Sequence, residues 1–234
     1  MKRLLRSLRK SFRYMFKVRT VRLGGVTIDT TVGHIPENVR ELIFREIYED
    51  TERDLIGKIL KPGMRTLEIG TGIGFVSLVA ARICGENNVF CYEANPELEP
   101  TIRRNFALNG MTPNLTMRAV TVDGAPITFF KSDNIISSSL YDRKRDDKQI
   151  VVESEALSDV LAKHNPSALI MDVEGAEVQL LGDVDLQNIA HIIVELHPHI
   201  VGDAAISTLV SSLKARGYVM RSSNRKTSHF ARAA

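Results

Sequence analysis

Three glycines at alternate positions, Gly70, Gly72 and Gly74, follow an apolar run that contains an acid: residues 66–74 read Thr-Leu-Glu-Ile-Gly-Thr-Gly-Ile-Gly. Glycines remove the Cβ atoms that would hold a ligand away from the backbone, and a strand feeding such a turn is how α/β proteins cradle nucleosides. The spacing fits an S-adenosylmethionine loop better than the dinucleotide fingerprint, whose third glycine would fall at Phe75. Gly70, Thr71, Gly72 and Gly74 are therefore expected to pass close to a nucleoside, with Glu68 offering a carboxylate to the ammonium of such a ligand. The next apolar run, Val-Phe-Cys-Tyr-Glu, ends in Glu93, where folds of this kind bind ribose hydroxyls. Ala94 then leads through Asn95-Pro96 into a helix whose start would flank the adenine. Asp123, before Gly124, reads equally as an acceptor for the adenine amino group or as a turn aspartate.

A second group of residues offers acid–base or metal chemistry. Asp172 and Glu174 alternate at the end of one apolar run, Glu195 and His197 at the end of another, so each pair projects to one side of its strand. Asp172 is expected to position the reacting groups, with Glu174 or His197 as general base for a hydroxyl proton. The alternative is a hard divalent ion held by Asp172, Glu174, Glu195 and His197. Glu174 and Glu177 would also suit the dipole of a helix starting near Ala176. That accounts for part of the pattern, but not for acids ending two otherwise apolar strands. Tyr48 and Glu49 read as helix residues that either close over the nucleoside or merely pack, His34 as a loop residue, His199 as a residue at the pocket entrance, and His164 and His229 as structural.

The elements that position these residues alternate. A short strand or a hairpin is expected over 21–31, helices over 37–49 and 51–60, then strand and helix in turn: strands at 65–69, 88–93, 115–120, 168–173 and 191–196, helices at 75–83, 96–108, 155–164, 176–181 and 204–215. Asp203 is the expected N-cap of the last helix, and 218–222 with 227–231 reads as a closing hairpin. Buried strands alternating with helices imply a mostly parallel sheet covered on both faces. Residues 121–155 interrupt the rhythm with a strand at 125–131, the polar run Ser137-Ser138-Ser139, a charged loop at 141–148 and a strand at 150–153. Acceptor specificity is expected there, since loops on a rigid sheet vary most. The organisation expected is a basic helix over 1–20, a strand-and-helix cap over 21–62 and the main domain over 63–234.

Composition of 44% hydrophobic and 25% charged residues belongs to an ordinary globular chain. Cys84 and Cys91 lack metal-ligand spacing and read as reduced core residues. No apolar run is long enough to span a bilayer and no signal peptide is evident, which predicts a cytoplasmic protein. The net charge of +3 hides an asymmetry: nine cations precede the first acid, Asp29, leaving 22 basic against 28 acidic residues in the rest. At 100° per residue, Leu4, Leu5, Leu8, Phe12, Met15 and Phe16 fall on one side of a helix and most of the cations on the other. Such a helix either contacts a membrane surface, making the protein peripheral, or packs its apolar face on the domain. Nucleic acid is not an expected partner, because the body is acidic.

The runs LEIGTGIGFVSLVAAR, YEANP, RRNFALNG, LSDVLAKH, MDVEGAE and IIVELHPH, in this order, resemble the FkbM family of S-adenosylmethionine-dependent methyltransferases over about residues 47–200. The resemblance implies a Rossmann-like class I methyltransferase fold, a seven-stranded mostly parallel sheet with a C-terminal β-hairpin and helices on both faces. It also implies O-methylation, often of sugars or natural products, and places Glu68, Gly70, Gly72 and Glu93 on the cofactor positions. The family's GANIG-like loop is replaced here by Gly70-Thr71-Gly72-Ile73-Gly74, closer to the general methyltransferase pattern. The expected activity is methyl transfer to a hydroxyl of a small molecule, a saccharide or glycolipid. The alternatives are an NAD-dependent oxidoreductase, disfavoured by Phe75, and a non-catalytic cofactor- or membrane-binding module.

Overall fold

The computed structural model describes residues 2–130, 149–186, 188–224 and 226–233. The expected polar run at Ser137-Ser138-Ser139 and the charged loop at 141–148 lie outside them. In chain order the elements are α1 (Lys2–Met15), β1 (Thr20–Leu23), β2 (Val26–Asp29), α2 (Glu37–Phe44), α3 (Asp50–Ile59), β3 (Thr66–Ile69), α4 (Phe75–Cys84), β4 (Val89–Tyr92) and α5 (Glu99–Leu108). There follow β5 (Asn114–Thr116), β6 (Ala119–Thr121), β7 (Ile127–Phe130), β8 (Gln149–Val152), β9 (Ser154–Ala156), α6 (Leu157–His164), β10 (Ala168–Met171) and α7 (Glu177–Gly182). The chain closes with β11 (His191–Glu195), α8 (Pro198–Val201), α9 (Asp203–Ala215), β12 (Tyr218–Asn224) and β13 (Thr227–Arg232).

Seven strands form one sheet in the order β12-β13-β11-β10-β3-β4-β5. From β11 to β5 all neighbours are parallel, and the terminal hairpin adds β13 antiparallel to β11. Short apolar strands with a side-chain period of two feed both faces: Ala168 and Ile170 of β10 enter one core with α3, α4 and α5, while Leu169 and Met171 enter a second with α6, α7 and α9. The chain winds outward from β3 through β4 to β5, then returns to β10 and winds the other way. The crevice between the carboxyl ends of β3 and β10 is thus the switch point at which open α/β sheets bind ligands.

Four expectations change. The helix expected over 155–164 starts at Leu157, because Ser154–Ala156 is drawn into β9 beside β6. The helix expected over 37–49 ends at Phe44, because Glu46 and Glu49 adopt left-handed backbone angles, φ 60° and 46°. The strand expected over 115–120 is two strands: β5 pairs with β4, whereas β6 pairs with β9 in a separate ladder. Asp203 does not cap α9. Gly202 occupies the N-cap and the unforeseen turn of α8 precedes it.

Parallel registry puts the strand ends in line. Ile69 pairs with Tyr92 on one side and Met171 on the other, and Met171 pairs with Val194. One residue further along, Glu93, Gly70, Asp172 and Glu195 form a row across the carboxyl edge, continued by Thr227, which pairs with Glu195. Gly70 is required in this row: at φ 90°, a Cβ there would sit 1.8 Å from the carbonyl oxygen of Asp172. Gly70→Ala should therefore destabilise the fold by about 3 kcal/mol or more, read as a shift in the urea midpoint; a loss below about 0.5 kcal/mol would contradict the close approach.

Candidate active site

The row of strand ends floors a cavity of about 1140 Å³, counting its open mouth. At one end Glu93 is held by backbone amides: the Gly72 N–H donates to Oε2 and the Asn95 N–H to Oε1, both at 2.8 Å. Burial raises the Glu93 pKa to about 7 against the pull of those amides. The glycine turn is tied to the same strand end, since the N–H groups of Gly70 and Thr71 and the Thr71 hydroxyl all donate to the Tyr92 carbonyl. Gly74, at φ 81°, has a second duty: a Cβ there would come within 2.9 Å of Phe106, so it lets α4 pack on α5. Glu68 lines the cavity from beneath, almost wholly buried, and accepts a hydrogen bond from Ser77 of α4. Burial raises its pKa to about 8.

At the other end five acids converge: Glu49, Glu52, Asp172, Glu174 and Glu195 all line the cavity. His197 is buried among them. Its Nδ1 lies 3.1 Å from Glu177 Oε1, an oxygen that also accepts the His197 backbone N–H at 2.8 Å. Its Nε2 faces Glu195 at 3.4 Å, Asp172 at 3.6 Å and Glu174 at 3.8 Å. Burial lowers the imidazole's basicity, but the bonds to Glu177 and Glu195 with the Asp172 charge outweigh it and raise the pKa to about 10. The raised pKa favours the imidazolium, which suits the ring to counter-charge the surrounding acids more than to accept a proton. Burial resists ionisation of Glu195 too, yet His197 and Lys226, whose Nζ lies 3.2 Å away, hold its pKa below the ordinary value.

Asp172 stands apart. Its Oδ1 is shielded from solvent and makes no hydrogen bond. Burial, then repulsion from Glu195, pushes its pKa well above the carboxylate range, with His197 opposing. Glu49 is raised for the same reasons, burial first and then Asp172, Glu52 and Glu195. Both Glu49 and Glu174 carry positive φ on non-glycine residues, 46° and 49°, local strain of the kind that collects at functional sites.

Of the sequence-derived residues, Glu68, Gly70, Thr71, Gly72, Glu93, Ala94, Asp172, Glu174 and Glu195 line this cavity, as do Tyr48 and Glu49. Gly74 starts α4 beside it. Asp123 does not line it: its carboxylate accepts the Ala125 N–H in an exposed turn. His34 bonds Asp29, His164 lies against Phe90 and Tyr92, His229 pairs with His191, and His199 is an exposed neighbour of the His197 ring. Sequence reasoning missed Arg118, Glu52, Thr227 and the role of Glu177. Arg118 reaches the cavity because the chain breaks between β5 and β6. Glu52 accepts a hydrogen bond from Thr227, a pairing 175 residues apart that no local pattern records. Glu177 was visible as the last acid of MDVEGAE, but its burial against the VELH histidine was not.

A sequence model described as the methyltransferase FkbM domain matches residues 68–220. The chain belongs to the FkbM methyltransferase family. It is an S-adenosylmethionine-dependent methyltransferase, and both the glycine turn and the acid cluster lie in or beside the matched region. A search of curated proteins finds no match. Among solved structures, a tRNA (uracil-54, C5)-methyltransferase of Pyrococcus abyssi, determined with S-adenosyl-L-homocysteine, superposes with a TM-score of 0.50 at 15% identity, covering 91% of this chain and 44% of that one. A precorrin-6y C5,15-methyltransferase of Geobacter metallireducens gives 0.46 at 15% identity, covering 84% and 91% of the two chains. A ribosomal protein L11 methylase of Lactobacillus delbrueckii subsp. bulgaricus gives 0.45 at 12%, covering 84% and 78%. At these identities the likeness is one of fold.

The buried acids make a pH prediction for the unliganded FkbM protein. Glu68 and Glu93 have folded pKa values of about 8 and about 7 against an ordinary 4.5, so between these values the folded state holds protons that the unfolded chain has released. Stability from these groups therefore falls as pH rises from 4.5 toward 8. His197 adds the same sign higher up, its contribution fading between 6.5 and about 10. The melting temperature should decline across this interval, and Glu68→Gln should flatten the lower limb; a rise with pH in both proteins would contradict the assignment.

Proposed function

We propose that this FkbM methyltransferase transfers a methyl group from S-adenosylmethionine to a hydroxyl of a small molecule, of the saccharide or glycolipid class. The observation that carries the proposal is the buried, unbonded Oδ1 of Asp172, in register with the glycine turn. The residues fit the donor: Gly70, Thr71 and Gly72 line the cavity at the turn, and Glu93 ends the neighbouring strand as a buried carboxylate suited to a ribose diol. Gly70, Thr71, Gly72 and Ala94 would line the nucleoside, with Gly74 starting the helix behind it. Glu68, engaged by Ser77, would act on the donor's ammonium from beneath. Asp123 lies outside the cavity lining, which Arg118, Val120 and Ile127 join from the same stretch of chain. When bound, the donor supplies an already activated methyl group and two positive charges.

An alcohol must lose its proton as it attacks, so the site needs an acceptor for that proton beside the reacting oxygen. Asp172 is suited to receive it, because its environment raises its affinity for a proton and a cationic ligand would keep it ionised until transfer. Glu174 is the alternative acceptor. His197, fixed by Glu177, would hold Asp172, Glu174 and Glu195 in place as their shared counter-charge. The five acids on the acceptor side disfavour a phosphate backbone, which supports a small neutral or cationic acceptor over nucleic acid.

A metal reading has its own support: ligand atoms of Asp172, Glu195 and His197 lie within 4.8 Å of one another, as do those of Glu49, Glu52 and Glu195. The two readings separate experimentally. Turnover with hydroxylated acceptors should survive exhaustive dialysis against EDTA; loss restored by a divalent ion would assign the metal. Asp172→Ala should lower turnover by about 100-fold or more while leaving S-adenosylmethionine affinity unchanged. Normal turnover in that variant would remove Asp172 from the chemistry. Labelled methyl groups should appear in the acceptor as an alkali-stable ether, whereas a labile ester or an N-methyl product would overturn the hydroxyl assignment.

A further inference from the structure

Helix α1 is docked inside out. Its cationic side faces the protein: Arg9 and Arg13 both pair with Glu46, Lys10 with Glu41 at 3.2 Å, and Arg6 approaches Asp50 at 3.9 Å. Arg13 also donates to the Phe44 carbonyl at 2.7 Å, at the C-terminal end of α2, while Tyr14 sets its ring edge on Phe44 and its hydroxyl on Glu37. These contacts fix the rotation of the helix about its axis. Its apolar stripe is consequently turned outward, with Leu4, Leu5, Leu8, Phe12, Met15 and Phe16 between 48% and 74% exposed. An amphipathic helix that merely packs on its domain buries that stripe. A contiguous exposed apolar face marks a contact surface.

We infer that α1 docks this methyltransferase onto an anionic bilayer surface, with its apolar stripe seated at the boundary between headgroups and acyl chains. Charge complementarity selects this occupant over a second copy. Lys17, Arg19 and Arg22 follow the stripe, are exposed, and make no ion pair with any described residue. Arg6 and Arg9, with side chains 43% and 52% exposed, flank it while they hold Asp50 and Glu46. A second copy would bring the same cations against themselves, whereas acidic headgroups neutralise them. No described helix is long and apolar enough to cross a membrane, so this contact lies on the surface. Glu46, which anchors two of the arginines, lies in the segment between α2 and α3 that also carries Tyr48 and Glu49 of the cavity wall.

The chain contains no tryptophan, so Phe12→Trp in the full-length protein reports on α1 alone. Its emission should shift to the blue and intensify on vesicles of phosphatidylcholine with about one-third phosphatidylglycerol, and much less on phosphatidylcholine alone. In flotation with the same anionic vesicles, the unmodified chain should partition at least about tenfold more than Leu8→Asp/Phe12→Asp, and more than Lys17→Glu/Arg19→Glu/Arg22→Glu. Circular dichroism and S-adenosylmethionine affinity should be unchanged in every variant, which confirms that they remain folded. An emission spectrum indifferent to anionic vesicles overturns the inference, as does equal flotation of the apolar-stripe variant. A concentration-dependent dimer in the unmodified chain that Leu8→Asp/Phe12→Asp abolishes would instead assign the stripe to a second copy.

Discussion

The in-register ending of four parallel strands is the constraint on which the site depends. Parallel pairing advances neighbouring strands together, so fixing Ile69 against both Tyr92 and Met171, and Met171 against Val194, also fixes what comes next. Glu93, Gly70, Asp172 and Glu195 must then fall in one line. Gly70 is the point at which that line is tightest, because only the absence of a Cβ lets β3 turn away beneath the Asp172 carbonyl. Binding and acid–base groups drawn from four separate strands are thereby brought to one edge without any of them being adjacent in sequence.

That line carries an unequal distribution of charge. At the Glu93 end, backbone N–H groups partly compensate burial of the carboxylate, and the raised pKa shows that the compensation is incomplete. At the Asp172 end, Asp172, Glu174 and Glu195 face His197, Glu195 also pairs with Lys226, and Glu49 and Glu52 stand beside them as further acids. Buried like charges persist when the surrounding structure holds them and when a ligand relieves them.

Much of this was legible in the sequence, and what was missed follows a pattern. The glycine turn and Glu93 could be read because strand, turn and strand end are local features with a fixed spacing. Asp172 and Glu195 could be read because acids closing apolar strands are conspicuous, and the two-residue period assigned them a common side. The helix over 37–49 failed because nothing in the composition of residues 45–49 announces left-handed glutamates; tertiary packing imposes them. Arg118 was hidden by an apolar run that looked like one strand but divides between two ladders. His197 was correctly placed at the edge, yet its protonation is decided by Glu177, twenty residues earlier, whose burial only the fold reveals. For α1 the amphipathic pattern was plain and its direction was not, because the outcome rests on acids in α2 and the following turn.

The central claim is that this row of strand ends binds the methyl donor, with Glu93 contributing directly. The most direct test is calorimetric titration of S-adenosylmethionine into the unmodified protein and into Glu93→Gln, which keeps an acceptor for one of the Gly72 and Asn95 amides and loses the carboxylate. One-to-one binding with a Kd on the order of 1–100 μM, weakened at least about tenfold in the variant, is the predicted result. Absence of binding up to about millimolar donor, or equal affinity in the two proteins, would contradict it.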